Sequence, residues 1–319
     1  MFKLPPITTN PKGEERKAGF EIEYTGLRPK ETASIIVKLF GGKVEEISEY
    51  EVVVKDTKYG KFSIYIDSVY LRSSTKEYIF KDMDFLKEFI YTLSELVVPY
   101  EVVTPPIPFN LLEEVERLRL EMKKNGALGT SASILYAFGM HINIETFTFE
   151  AKELLDVLRA FVLMQDWIKE KIEVDLTRKL SWFIEPFDRE FIDYILNKNY
   201  NPDLDRLIED YIFYNPTRNR ALDMLPLFVY LRPQVKEKLP PQKISPRPAF
   251  HYRLPNSKID EDDWSVAKEF NMWSLVEKAA LNKKALYELI DDYFEFENSP
   301  FWFLTDLWIE RVDEWVKEL

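Results

Sequence analysis

The sequence predicts an α+β protein: an antiparallel sheet backed by helices and carrying one mostly helical insertion. Short runs that alternate apolar and polar residues crowd the first 105 positions and return near residues 140 and 250, which is the period of a half-buried strand. Residues 150–213 instead repeat apolar side chains at helical spacing, in "LLDVLRAFVLMQDWIKEKI" and "DREFIDYILNKNY". No internal repeat and no low-complexity linker separates the two regions, so one domain over residues 1–319 is expected, with the insertion at about 150–213.

The elements follow in order. "GFEIEY" at 19–24 reads as a strand. "PKETASIIVKLFGG" reads as a helix that starts on a proline and stops at its double glycine. "EEISEYEVVVKD" and "KFSIYIDSVYLR" flank a turn near Lys58–Gly60 and form a hairpin. Residues 82–97 have the spacing of an amphipathic helix, and "YEVVTPP" is a strand ended by two prolines. A further helix closes on Asn125–Gly126, "GMHINIE" is again a strand, and "KLPPQKISPRPAF" is a loop leading into the strand "AFHYRL". Helices fill the rest.

Composition narrows the function. Forty-three basic residues against 55 acidic ones leave a formal charge of -12, which argues against a phosphate-backbone partner, since that binding depends on Lys and Arg releasing counterions. Nucleic acid is therefore not expected as a ligand. The chain has no cysteine and two histidines, so thiolate chemistry is absent and a bound metal is expected to be a hard cation held by oxygen. No signal-peptide run and no stretch of 18 apolar residues is present, so no membrane partner and a cytoplasmic location are expected. The only Gly-rich stretch, "FGGK", fits neither the phosphate-binding loop nor the dinucleotide fingerprint.

The strands share a peculiarity. In "GFEIEY" the alternation of side chains puts Phe20, Ile22 and Tyr24 on one face and both Glu21 and Glu23 on the other. At roughly 7 Å and an effective dielectric of about 20, those two charges repel by about 2 kcal/mol, tolerable on a wet surface but calling for a counter-cation in a cleft. Glu101 lies in "YEVVTPP", Asp67 ends "KFSIYID", His141 and Asn143 alternate with apolar residues in "GMHINIE", and His251 shares a face with Arg253 in "FHYRL". Each pattern alone also fits a half-buried strand with a solvated side. Together they place four carboxylates, both histidines and an arginine on polar faces that would line the concave side of one curved sheet. Such a cluster suits Mg²⁺ and phosphate.

Six of these segments, in this order, resemble the amidoligases of the carboxylate-amine ligase superfamily, relatives in fold of glutamine synthetase and glutamate-cysteine ligase. The matching stretches are "GFEIEY", "IDSVY", "YEVVTPP", "GMHINI", "TRNRALDML" and "AFHYRL", spread from about residue 18 to about 280. Three positions depart from the family pattern: Asp67 is followed by Ser68 without the usual glycine, Asn219 and Asp223 stand where Tyr and Asn are usual, and His251 stands where the last strand has glutamate.

The resemblance implies a curved antiparallel sheet of the glutamine synthetase catalytic-domain type. It implies an ATP- and Mg²⁺-dependent ligase that joins small-molecule or peptide carboxylates to amines through an acyl-phosphate. Glu21, Glu23 and Glu101 would hold Mg²⁺, and Asp67 would be a metal ligand or the acceptor from the incoming amine. Arg253, with Arg218 or Arg220, would stabilise the phosphoryl group, and His141 would contact phosphate or the substrate carboxylate. His251 would either replace a metal ligand or meet phosphate as an imidazolium. A nucleotide- or peptide-binding protein without turnover, and an ATP-dependent phosphotransferase, are the alternatives on the same fold.

Overall fold

The computed structural model describes residues 1–48, 50–66, 100–130, 138–173 and 185–319. The amphipathic stretch at 82–97 and Asp67 lie outside the described residues. The chain forms two units, each assembled from separate segments: one from Ala18–Ile142 and Pro255–Val266, the other from Met1–Lys17, Asn143–Leu254 and Ala267–Leu319.

The first unit begins with β1 (Lys17–Tyr24), where Ala18, Phe20, Ile22 and Tyr24 are buried and Glu21 and Glu23 half-buried. Helix α1 (Pro29–Phe40) follows, its start closed by the Arg28 N–H donating to the Glu31 carboxylate (2.8 Å). The helix buries Ala33, Ile35, Ile36 and Phe40, and Phe40 stacks on Phe62 with centroids 5.5 Å apart. Gly41 and Gly42 end it with φ of 72° and 101°; a Cβ on Gly42 would sit 2.5 Å from the Lys55 carbonyl, so only glycine fits.

Strands β2 (Lys43–Ser48), β3 (Glu51–Thr57) and β4 (Gly60–Ile66) form an antiparallel meander, packed against α1. The run read as one strand across 45–56 is thus two, divided between Ser48 and Glu51, and β3 turns into β4 at Lys58–Tyr59 as the sequence indicates. Strand β5 (Tyr100–Val103) lies between β4 and β1, antiparallel to both. The short β6 (Ile107–Pro108) pairs with β1, and α2 (Glu113–Lys124) runs to the Asn125–Gly126 stop. On the far side of β1 comes β7 (Met140–Glu145), giving the order β2-β3-β4-β5-β1-β7.

The returning segment Pro255–Val266 completes this unit. The Ser257 hydroxyl donates to the Glu23 carbonyl (2.5 Å), Ser257 N–H donates to the Phe138 carbonyl (3.0 Å), and Thr130 N–H donates to the Ser257 carbonyl (2.9 Å). Gly129 permits the approach, because a Cβ there would lie 2.3 Å from the Ser257 carbonyl oxygen. Arg119 then holds the segment through the carbonyls of Ile259 and Glu261.

The second unit takes up β7 from Asn143 and carries β9 and β8 beside it, with β8 (Leu222–Asp223) antiparallel to β9 (Ala249–Tyr252). Its helices are α3 (Ala151–Lys171), α4 (Arg189–Leu196), α5 (Leu204–Tyr214), α6 (Leu225–Leu231), α7 (Val266–Leu281), α8 (Lys283–Glu297) and α9 (Thr305–Glu318). Within 150–213 the described helices are α3, α4 and the greater part of α5. No helix among the described residues is long and apolar enough to cross a membrane.

Buried ion pairs hold this unit together. Arg16 and Glu277, both without solvent exposure, form a two-pronged pair (2.7 and 2.6 Å). Arg16 also donates to the carbonyls of Ile7 and Glu145, and the Trp273 indole N–H donates to Glu277 (2.6 Å). Removing one partner leaves a bare charge in the interior, a loss of about 3–5 kcal/mol, whereas replacing both by apolar residues removes the desolvation cost as well. Urea unfolding should accordingly show a smaller loss for the Arg16→Met/Glu277→Leu double variant than for Arg16→Met or Glu277→Leu alone. A double variant as unstable as the sum of the singles would mean that the carbonyl contacts, and not the ion pair, carry the energy.

Candidate functional site

Pairing register decides where the acids of the first unit go. Because Ile22 faces Val102 across β1 and β5, Glu23 falls directly opposite Glu101, and Glu21 opposite Val103. Glu101 in turn faces Tyr65 on β4. Side chains directly opposite on one sheet face have Cβ atoms about 5 Å apart, so two carboxylates there repel by about 3 kcal/mol at an effective dielectric of 20. Glu101 is nevertheless buried, with 7% exposure. The three predicted metal-binding acids thus share one face of adjacent strands.

His141 joins them. On β7 it alternates with buried Met140, Ile142 and Ile144, and its Nδ1 lies 3.2 Å from the Glu21 carboxylate. A carboxylate only accepts, so this nitrogen carries the proton and points the imidazole's other nitrogen away from Glu21. Glu23 accepts the backbone N–H of Gly139 (2.6 Å), while its own N–H donates to the Gly139 carbonyl (3.0 Å). Those bonds fix the glutamate at the end of β1. The carboxylate oxygens of this face are the ligand type a hard divalent cation such as Mg²⁺ takes, although Glu21, Glu23 and Glu101 do not bring three oxygens within 4.8 Å of one another.

The remaining predicted residues lie in the second unit. His251, on β9, is buried with 1% exposure, as is every residue of that strand. Its Nδ1 is 2.7 Å from Asn143 Oδ1, the same oxygen that receives Arg247 Nε (2.9 Å) and Nη2 (2.5 Å). An atom that accepts from a guanidinium is the amide oxygen, and the His251 Nδ1 lies between that oxygen and Arg247 Nη2 (3.2 Å), donating to the first in one tautomer and accepting from the second in the other. Arg247 was not legible as a site residue: it sits between two prolines in a loop-like stretch. Its one signal is Pro248, which restricts the backbone of the residue before it.

Beside His251 in register stands Asp223 on β8, fully buried. Its carboxylate accepts Arg218 Nε (2.9 Å) and the Leu225 N–H (3.0 Å). Burial pushes this carboxyl above the usual carboxylate range, against the pull of the Arg218 and Arg253 guanidinium groups. Arg253 lies one residue past β9, half-buried, with a guanidinium N–H reaching the Arg218 carbonyl (3.2 Å). Arg220 is drawn elsewhere: it donates to the Pro186 carbonyl and lies 3.9 and 3.7 Å from Glu185 and Asp188. Arg218 and Arg253 therefore gather around one carboxylate, and Arg220 binds the 185–188 segment.

The sign of the Asp223 shift sets a pH dependence. A carboxyl raised in the folded state binds its proton more tightly there than in the unfolded chain. Its contribution is present below the ordinary value near 3.8 and is lost as pH rises through the folded value. Asp223→Asn cannot titrate, so the melting temperature of the parent minus that of the variant should fall as pH is raised from 3 toward neutrality. A difference that grows with pH would mean that the two arginines outweigh burial.

No curated protein matches the chain. A family model described as "putative amidoligase enzyme" matches residues 14–275, a span that runs from before β1 into α7 and takes in every residue of the candidate site. With most of its length inside that match, the chain belongs to this amidoligase family.

Proposed function

We propose that this chain is an ATP-dependent carboxylate-amine ligase, working on a sheet of the glutamine synthetase catalytic-domain type. The observation that carries the reading is the register of β1 and β5, which sets Glu23 against Glu101 with Glu21 on the same face. Like charges held together in a protein invite a cation between them. In the proposed reaction an oxygen of the carboxylate substrate takes the γ-phosphoryl of ATP and ADP leaves. The amine nitrogen then attacks the acyl carbon, inorganic phosphate departs with the C–O electron pair, and the amine gives up a proton.

Glu21, Glu23 and Glu101 would hold Mg²⁺, whose bound charge neutralises the ATP phosphates. His141, anchored on Glu21, would turn its other nitrogen toward phosphate or the substrate carboxylate. Arg253 and Arg218 would hold the phosphoryl group in transfer, where a guanidinium acts on developing charge; Arg220 would act from its place beside residues 185–188. Asp67 would serve as a further ligand or as the acceptor from the amine. The second reading, a nucleotide- or peptide-binding protein without turnover, draws on His251, an imidazole where the family strand has a carboxylate.

Calorimetric titration with ATP separates binding from its absence. Affinity should require Mg²⁺ and fall at least tenfold, about 1.4 kcal/mol, in Glu21→Gln/Glu23→Gln, while the metal-free melting temperature of that variant stays unchanged or rises. Equal binding in EDTA would sink the metal site. Release of ADP and phosphate with pooled amino acids, amines and short peptides then tests the ligase itself; nucleotide binding with no turnover across the pool would favour the second reading.

A further inference from the structure

The turn between α8 and α9 exposes an unusual run. Phe301, Trp302, Phe303 and Leu304 are consecutive and 54%, 50%, 62% and 41% exposed, and Leu307, one turn on, is 42% exposed. Single exposed apolar residues are ordinary, but a contiguous aromatic group marks a contact surface. The turn is held by its own backbone: Leu304 N–H donates to the Phe301 carbonyl (2.8 Å) and Leu307 N–H to the Leu304 carbonyl (3.0 Å), with the Ser299 hydroxyl accepting the Phe301 N–H (3.2 Å). The rings are thus presented on a fixed scaffold, which lowers the entropy lost when a partner binds.

The charge around the turn says what would cover it. Residues 283–319 contain ten acids and four bases, a surplus equal to half the net charge of the whole chain. Each of the four bases is already engaged: Lys283 with Asp156, Lys284 with Glu288, Arg311 with Asp292 and Lys317 with Asp313. Three of the acids take cations from elsewhere in the chain, Glu297 from Arg189, Asp291 from Lys198 and Asp313 from Lys171, and among the described residues Glu295, Asp306, Glu310 and Glu314 have no ion pair. An anionic lipid surface and a second copy of this acidic chain are both disfavoured by like charge.

The protein also displays the matching chemistry within itself. The Arg189 guanidinium lies over the Trp302 ring, 5.1 Å from its centroid, and is ion-paired to Glu297 at the end of α8. A cation stacked on a ring and paired with an adjacent acid is the contact an arginine of a partner would repeat on Phe301, Phe303 and the surplus acids. We propose that the 299–310 turn is a docking site for a cationic polypeptide segment with apolar anchors, supplied by a different protein. This surface is independent of the ligase reading.

Fluorescence anisotropy with two labelled peptides tests it, one built of Leu, Trp and Arg and the other with Glu in place of every Arg. The arginine peptide should bind the full chain, and the glutamate peptide should bind at least tenfold more weakly. Affinity for the arginine peptide should fall as NaCl is raised from about 50 to 500 mM. Phe301→Ser/Phe303→Ser should weaken it at least tenfold, while Phe213→Ser, which removes a ring 78% exposed on α5, leaves it unchanged. Circular dichroism should show the same melting temperature for all three proteins, since the substituted rings are largely in water. Equal binding by both peptides, or by the double variant and the parent, overturns the proposal. So does light scattering that shows a dimer of the parent and a monomer of the double variant, which would make a second copy the occupant.

Discussion

Burial of the apolar face of β1 is the constraint from which the acidic site follows. With Phe20, Ile22 and Tyr24 fixed inward, Glu21 and Glu23 have one direction left, and a slip of a single residue would bury both charges while exposing the aromatic rings. Pairing then propagates the choice. Ile22 opposite Val102 forces Glu23 opposite Glu101, and Glu101 opposite Tyr65. Hydrophobic burial, which is non-directional, thereby positions charged groups to within a strand spacing.

Buried charge is handled in two ways. In the unit that carries β8 and β9, opposite charges are neighbours: Arg16 with Glu277, Arg159 and Lys283 with Asp156, Arg218 with Asp223. Such pairs fix geometry and need nothing from outside. On the β1 and β5 face of the other unit, like charges are neighbours instead. A sequence under no functional demand has no reason to keep a carboxylate opposite a carboxylate, because an amide or an alanine there would fold more easily. That contrast separates the structural ion pairs from the residues proposed to hold a cation.

Much of this was legible in the chain itself. The helix stopped by Gly41–Gly42, the turn at Lys58–Gly60, the acid face of β1 and the alternation of β7 all follow from local period and turn chemistry. Register was not legible: nothing local in "YEVV" says which residue of β1 Glu101 will face, since that depends on partners 80 residues away. The return of residues 255–266 to the first unit was equally hidden, because its contacts are largely with main chain and with side chains more than 100 residues away, such as Asp262 with Lys123. Arg247 was hidden by its surroundings, a proline loop that reads as a connector. His251 was expected on a polar strand face with Arg253; the strand is instead buried throughout, and the His251 Nδ1 meets Asn143 and Arg247. Local pattern reports which face a residue takes, and long-range pairing reports what it meets there.

The threading of the two units bears on how the protein is made. The chain re-enters the unit built on β1 once and the other unit twice, and Arg16 is separated from Glu277 by 261 residues. A ribosome adds about 5–20 residues per second, so the emerging arginine waits roughly ten seconds to a minute for its counter-ion. Through that interval its guanidinium must stay hydrated, which keeps the N-terminal segment out of any apolar interior. The unit that holds Arg16 and Glu277 therefore cannot close while the chain is still short, and the unit built on β1 waits only for residues 255–266.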